Sequence, residues 1–183
     1  MKANDTARQV LECIVRPTLE YLGLHSLAAE RLVLFTGAHE GRGFDLIEQI
    51  AGPALSWWQI EPDTYQDLLA NSMPGIQRAR PVVAVAYRGL IRHRFASYPP
   101  AEELARDPML ACATCRLLYY RKPEPLPHAD DLPGLAAYWK QHYNTRLGDG
   151  PVGAFLVYVL PAVIVFGNLQ AAKASRAKSG AAR

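Results

Sequence analysis

Leu27-Ala-Ala-Glu-Arg-Leu-Val-Leu-Phe-Thr-Gly-Ala-His-Glu40 is the stretch that decides the fold of this 183-residue chain. Ser26, a residue type that caps helix N-termini, precedes it, and the run is apolar on almost every side. We therefore predict a helix over 27–38 at the centre of the core. Glu40 follows the end of this helix among glycines, where the helix dipole disfavours a negative charge and the backbone leaves room for a ligand. That placement makes Glu40 the first candidate for a functional carboxylate, against the alternative of a solvated helix-end glutamate.

The composition is that of a globular domain. Half of the residues are hydrophobic, 20% are charged and the net charge is +3, which does not indicate nucleic-acid binding. Three cysteines, an odd number, argue against a secreted disulfide framework. Cys112 and Cys115 have the C-x-x-C spacing, but no second pair or histidine cluster completes a site. We interpret both as small buried helix residues and predict no metal site and no cofactor.

Most of the remaining chain also predicts helices, so the expected fold class is mostly α. Residues 82–91 fit either a strand or a buried helix, and 44–49 form a short amphipathic piece. The other predicted helices are 7–24 with a kink or division at Pro17, Pro62 to about 72, 101–120 with an interruption at Asp107-Pro108, and a helix capped by Asp131 that runs to about 143.

The C-terminal part of the chain has a different character. No charged residue occurs from 150 to 170, a length that can just span a bilayer, and basic residues follow it. Pro161 interrupts the apolar run, which equally suits a buried core helix, so both alternatives stay open. The expected organisation is a main domain over 1–150, an apolar helix over 151–172 that is core or membrane-associated, and a basic, disordered tail over 173–183.

A second informative segment, Gly52-Pro-Ala-Leu-Ser-Trp-Trp-Gln59-Ile-Glu-Pro62, follows Glu40. A glutamine between Trp58 and Ile60 can bond a substrate amide or the catalytic carboxyl, while an aromatic neighbour stacks on a sugar face. The alternative is a core tryptophan pair with an edge glutamine. We interpret Glu61 more simply as a helix-dipole partner or a surface residue.

Two further aromatic segments supply candidate sugar contacts. Tyr119 and Tyr120 end one predicted helix, and Tyr143 and Asn144 end another. Tyrosine hydroxyls and asparagine amides are common polar contacts in ligand pockets. Aromatic residues at helical spacing more often belong to the core, and from spacing alone we prefer that interpretation for Tyr119 and Trp139.

These segments resemble a known family. Thr36-Gly-Ala-His-Glu40-Gly resembles the Glu-Ser motif of lysozyme-like lytic transglycosylases of the soluble-lytic-transglycosylase type, and Gly52 to Pro62 resembles their Gly-Leu-Met-Gln-Ile-x-Pro motif. The phage-encoded branch also has segments similar to 119–127 and 137–150. The resemblance covers roughly residues 22–150.

The resemblance implies a lysozyme-like helical domain whose central helix carries the catalytic glutamate at its end. Glu40 matches the family's general acid/base and Gln59 the glutamine of the second motif. The other candidate substrate-binding residues are Trp58, Tyr119, Tyr120, Tyr143 and Asn144. The implied activity is a glycosidase reaction, cleavage of the peptidoglycan glycan strand in cell wall degradation. A transglycosylase of this type needs a single glutamate, because the substrate's own hydroxyl closes a 1,6-anhydro ring; a muramidase, which hydrolyses the bond, is the alternative.

The implied setting is a bacteriophage protein in the virion or the host periplasm, with peptidoglycan and other virion proteins as partners. Two departures from the motifs support a second hypothesis. Gly41 stands where the family has serine, and Ser56-Trp57 stands where it has glycine and an apolar residue. The domain could accordingly be a virion structural protein that keeps the glycan-binding fold without activity. A third hypothesis is a periplasmic wall enzyme held at the membrane by residues 152–170.

Overall fold

The computed structural model describes residues 2–91, 95–144, 155 and 157–167, and this part of the chain is mostly helical, as predicted. The described residues contain isolated β-bridges but no strand. The helices are α1 (Lys2–Val10), α2 (Arg16–Tyr21), α3 (Leu27–Glu40), α4 (Pro62–Asp67), α5 (Met73–Ala79), α6 (Pro81–Ile91), α7 (Glu103–Arg106), α8 (Pro108–Tyr120), α9 (Leu132–Trp139) and α10 (157–167). Three π-helical turns, Leu11–Val15, Leu68–Ser72 and Lys140–Asn144, continue α1, α4 and α9.

Two buried helices form the centre of the core. Helix α3 is buried at every position from 29 to 38, and α8 at every position from 110 to 119. Helix α8 packs against α2, α3 and α6. Gly37 lets the loop after α3 approach closely, because a Cβ there would lie 3.0 Å from Nε1 of Trp58. The predicted central helix is thus present, and its last residue is Glu40.

Side-chain caps fix several helix starts, and two of them, at Ser26 and Asp131, were predicted. Ser26 Oγ accepts a hydrogen bond from the Ala29 amide at 3.1 Å, and Asp131 Oδ1 accepts one from the Gly134 amide at 2.9 Å. Asp107 separates α7 from α8 and accepts bonds from the first amides of α8, which confirms the predicted interruption.

The other local predictions have mixed outcomes. Residues 82–91, left open between strand and helix, lie in α6, and Pro17 is in the first turn of α2, directly after a π-helical turn. Cys112 and Cys115 are buried in α8, as interpreted. The prediction of a short amphipathic element over 44–49 is wrong, because these residues form no helix or strand. Phe44 has a φ of 71°, which a helix cannot accommodate, and the chain there forms turns.

Helix α10 covers part of the core. Phe166 packs edge-on against Phe35 of α3 with ring centroids 5.9 Å apart, and Phe155, just before α10, is fully buried. The opposite face of α10 is apolar yet exposed. Among the described residues, no helix is both long and apolar enough to cross a bilayer. The remainder of the predicted 151–172 helix, and the whole 173–183 tail, lie outside the described residues.

Candidate functional site

A groove of about 750 Å³ opens beside the C-terminal end of α3. Its walls come from the loop between α3 and α4, the end of α8, the π-helical turn after α9, and α10. Four of the predicted site residues line it together: Glu40, Gln59, Tyr143 and Asn144. They come from three separate segments of sequence, so the fold gathers in one place most of what the motifs predict.

Glu40 is the carboxylate with the most perturbed environment in this groove. Burial raises its pKa from 4.5 to about 7, although a hydrogen bond from Trp139 and the positive charge of Lys140 oppose the shift. The Trp139 indole Nε1 donates to Glu40 Oε1 at 2.9 Å. A carboxyl with this pKa is partly protonated near neutral pH, as a general acid must be.

The loop that follows Glu40 is strained along its length. Five non-glycine residues in it have φ values in the left-handed region: Arg42 (50°), Phe44 (71°), Ala51 (59°), Ser56 (68°) and Gln59 (45°). Backbone strain of this kind costs on the order of 1–3 kcal/mol a residue and clusters at functional sites. The concentration of strain between Glu40 and Gln59 makes this loop a candidate functional segment, independently of the sequence motifs.

Gln59 is held in place by its own turn. Its side-chain Nε2 donates to the Ser56 carbonyl oxygen at 2.7 Å, and its backbone amide donates to the same oxygen at 3.0 Å. With the amide nitrogen engaged, the side-chain oxygen is the group that can accept a hydrogen bond from a ligand N–H or O–H.

The turn after α9 supplies the opposite wall. The Tyr143 hydroxyl donates to the Trp58 carbonyl oxygen at 2.7 Å, which ties this turn to the loop that carries Gln59. Asn144 Oδ1 accepts a hydrogen bond from Lys140 Nζ at 2.6 Å. Its amide nitrogen can therefore donate into the groove.

Three predicted substrate contacts lie elsewhere. Trp58 is fully buried and its indole donates to the Val33 carbonyl oxygen at 2.9 Å, so it anchors the loop to α3 and does not line the groove. Tyr119 is buried in α8 and shares a 2.7 Å hydrogen bond with Thr36. Tyr120 accepts a bond from Arg80 at 3.2 Å, outside the groove. Spacing alone favoured the core for Tyr119, and that alternative is the one observed.

The two departures from the family motifs meet in space. A Cβ on Gly41 would lie 2.8 Å from the Gly37 carbonyl oxygen and 2.9 Å from the Trp57 carbonyl oxygen. Both atoms belong to the backbone and cannot swing aside, so this structure admits no serine at position 41. The backbone at Gly41 consequently packs directly against the backbone at Trp57.

Sequence reasoning missed the partners of both glutamates on α3. Trp139 is 99 residues from Glu40, and nothing local in the sequence signals that contact. The buried carboxylate of Glu30 forms an ion pair with Arg16 and also contacts His25. A signal for that cluster did exist, because a glutamate inside a helix that is apolar all round needs a buried partner.

Within the part of the chain that the structure describes, no group of three or more His, Cys, Asp or Glu side chains could hold a metal ion. Burial raises the pKa of the Cys112 and Cys115 thiols well above its usual value, which keeps both unreactive.

Comparison of the chain with protein-family models, with curated proteins and with solved structures gives no match. Its function is therefore inferred from the groove and from the motifs that line it.

Proposed function

We propose that the groove cleaves the glycan strand of peptidoglycan, with Glu40 as general acid and then general base. The observation that carries this proposal is a carboxyl on a groove wall whose pKa burial raises to about 7. The similarity of residues 36–41 and 52–62 to the motifs of lysozyme-like lytic transglycosylases supports the same conclusion and the same fold.

The chemistry needs few residues. Protonated Glu40 donates its proton to the glycosidic oxygen as the bond between N-acetylmuramic acid and N-acetylglucosamine breaks, and the resulting carboxylate then accepts a proton from the attacking hydroxyl. If that hydroxyl belongs to the muramic acid itself, the product is a 1,6-anhydro sugar; if it belongs to water, the product is a reducing end. The Gln59 side-chain oxygen and the Asn144 amide nitrogen are suited to hold acetamido groups. No second carboxylate is required for the anhydro route.

The test is digestion of purified peptidoglycan sacculi, with the released muropeptides identified by mass spectrometry. We expect wild-type protein to release them and Glu40→Gln to release almost none. Glu61→Gln, which neutralises another groove carboxylate, is the matched control and should stay active. Anhydro ends would identify a transglycosylase and reducing ends a muramidase. Absence of release by the folded wild-type protein would rule out the enzymatic proposal.

One observation favours a second candidate, a virion structural protein that binds glycan without cleaving it. The Trp57 backbone occupies the space where the serine of the family motif would stand, so the hydroxyl that helps hold the substrate is missing beside Glu40. This candidate requires binding of glycan strands in pull-down assays with no turnover under any condition, and a single measured turnover would exclude it.

We also propose that α10 brings the protein to an anionic membrane surface of the host periplasm or the virion's target cell. Its outward side chains Val157, Leu160 and Ile164 are 69%, 57% and 43% exposed, and four basic residues follow within 173–183. An apolar face beside basic residues is the pattern of surface-associated helices. Co-sedimentation with phosphatidylglycerol vesicles should be lost in a Leu160→Asp/Ile164→Asp variant; equal sedimentation of both proteins would refute it.

A further inference from the structure

We propose that Trp139 is a positioning residue for Glu40, and that His39 and Phe155, which lies just before α10, clamp the indole so that the acidic proton sits on Glu40 Oε2. The hydrogen bond and the clamp do not depend on any activity. Their consequence for catalysis rests on the proposed function, so the two are tested by separate measurements.

Trp139 is the final residue of α9 and is fully buried. An indole has a single polar hydrogen, and in this protein that hydrogen is directed at Glu40 Oε1, 2.9 Å from Nε1. The remainder of the indole is packed between two rings. The His39 ring meets it nearly edge-on at 4.6 Å, and the Phe155 ring lies over it at 4.8 Å with an interplanar angle of 33°. The donor therefore has little freedom to turn away from the carboxyl.

This single donor determines which oxygen of the acid carries the proton. The indole needs an acceptor, and in a protonated carboxyl the better acceptor is the carbonyl oxygen. When Glu40 is protonated, Oε1 is thus the carbonyl oxygen that faces Trp139, and Oε2 is the hydroxyl. A general acid must present its proton to the leaving group in a fixed direction, so a donor that selects the oxygen also selects the direction of transfer.

The C-terminal helix is part of this arrangement although it lies outside the stretch that resembles the family. Phe155 is fully buried and contacts both His39, at 5.4 Å between centroids, and Trp139. Tyr158 lies on the groove wall, with its ring 6.1 Å from His39. Phe155 thus touches the donor and Tyr158 lines the groove, so the C-terminal part of the described chain is a structural component of the site.

Several titratable groups surround Trp139 and Glu40, and their effects on the indole signal must be distinguished from the titration of Glu40. His39 contacts the indole directly, and Lys140 follows Trp139 and lowers the pKa of Glu40. On α8 and the turn after α9, burial holds the pKa of Cys115, Tyr119 and Tyr143 well above the usual values, so these groups stay neutral through the neutral range. Charged side chains on the groove wall are Arg42, Glu61, Arg121, Lys122 and, when protonated, His142.

The test is the pH dependence of the indole N–H resonances in ¹⁵N–¹H spectra. The chain has three tryptophans, so three indole signals are expected. The Trp139 signal should move with a midpoint near pH 7, and this movement should vanish in Glu40→Gln, whose amide oxygen still accepts the bond. The Trp58 signal should stay still, because its indole is bonded to the Val33 carbonyl oxygen. A Trp139 signal that is flat, or that titrates equally in Glu40→Gln and so reports His39, overturns the proposal.

Two further variants test the positioning role itself. Trp139→Phe removes the donor and should raise the midpoint of the Glu40 carboxyl titration, measured by ¹³C spectra, because the lost bond lowers that pKa. Phe155→Leu keeps the core apolar but loosens the packing on the indole. It should therefore reduce the size of the pH-dependent shift of the Trp139 indole resonance. If peptidoglycan is cleaved, Trp139→Phe should reduce kcat about tenfold with KM unchanged and move the basic limb of the pH profile upward. An unchanged carboxyl midpoint in the folded variant refutes the role regardless of whether the protein is an enzyme.

Discussion

Glu30 and Glu40 occupy opposite ends of the same helix, and their surroundings move their pKa values in opposite directions. At the N-terminal end, burial alone would raise the pKa of Glu30, but Arg16 at 2.8 and 3.0 Å and His25 at 2.9 Å outweigh it and lower the value. At the C-terminal end, the hydrogen-bond donor to Glu40 is a neutral indole, and burial prevails. The helix dipole adds to both effects, since it favours a negative charge at the first turn and opposes one at the last.

The contrast distinguishes a structural carboxylate from one that titrates near neutral pH. A buried acid with a cationic partner stays ionised and holds elements together, as Glu30 does for α2 and α3 through Arg16. A partly buried acid without a cation in direct contact exchanges its proton near neutral pH. The position of an acid in a core helix therefore does not decide its chemistry; the charge of its nearest partner does.

The largest expected effect concerns activity. Glu40→Gln should reduce the rate of peptidoglycan cleavage by about a hundredfold to ten-thousandfold, the usual contribution of a positioned general acid. Glu30→Gln, assayed well below its unfolding temperature, should retain the wild-type kcat because Glu30 does not line the groove. Muropeptide release by the two variants is compared at equal folded concentration. An equal loss of activity in both variants would contradict the distinction between the two ends of α3.

The second effect concerns stability and has an unusual sign. The pKa of Glu40 is raised in the folded state, so its contribution to stability is full below pH 4.5 and is lost as the pH rises through about 7. This amounts to at most about 3 kcal/mol, from 1.36 kcal/mol for each unit of pKa. Glu40→Gln should remove this dependence, so that the variant gains stability over the wild type between pH 4 and pH 8. Urea unfolding at both pH values measures it, and parallel stability curves for the two proteins would contradict it.

The third effect is the mirror image at Glu30. Glu30→Gln leaves the Arg16 guanidinium without its anion and should lower the free energy of unfolding by about 2 kcal/mol at pH 7. We expect less than for a wholly buried pair because the side chains of Arg16 and His25 are about 30% exposed. The pKa of Glu30 is lowered, so the difference from wild type should persist above pH 4.5 and shrink in more acidic solution. Glu102→Gln, on an exposed residue, is the control and should be neutral.

The sequence predicts the helix that carries Glu30 and Glu40 better than it predicts the residues that contact them. Ser26 and the apolar run after it indicate a buried helix, and glycines around Glu40 indicate an accessible end, because caps and glycines act through local backbone geometry. The partners of both glutamates are tertiary. Arg16 lies in the preceding helix, and Trp139 is 99 residues away from Glu40, at a distance along the chain that no periodicity reaches.

The aromatic residues show the same limit. The sequence predicts both Trp58 and Tyr143 as sugar contacts. In the structure, Trp58 is buried against α3, whereas Tyr143 lines the groove. The difference arises from positive φ values at Ser56 and Gln59, which turn the loop so that Trp58 faces α3. Those values occur at residues that ordinarily avoid them, so composition gives no warning of the turn.

The smallest expected effect tests whether the two ends of α3 are independent. Ser26→Ala removes the cap that accepts the Ala29 amide and should cost about 1 kcal/mol of stability. The cap lies beside Glu30 and at the far end of the helix from Glu40, so the titration of the Glu40 carboxyl should keep its midpoint near pH 7. Ser72→Ala, at a helix start where the serine makes no capping bond, is the matched control and should cost less. A Glu40 midpoint that moved in Ser26→Ala would mean that the helix transmits the change, and that the two carboxylates are not set by their local partners alone.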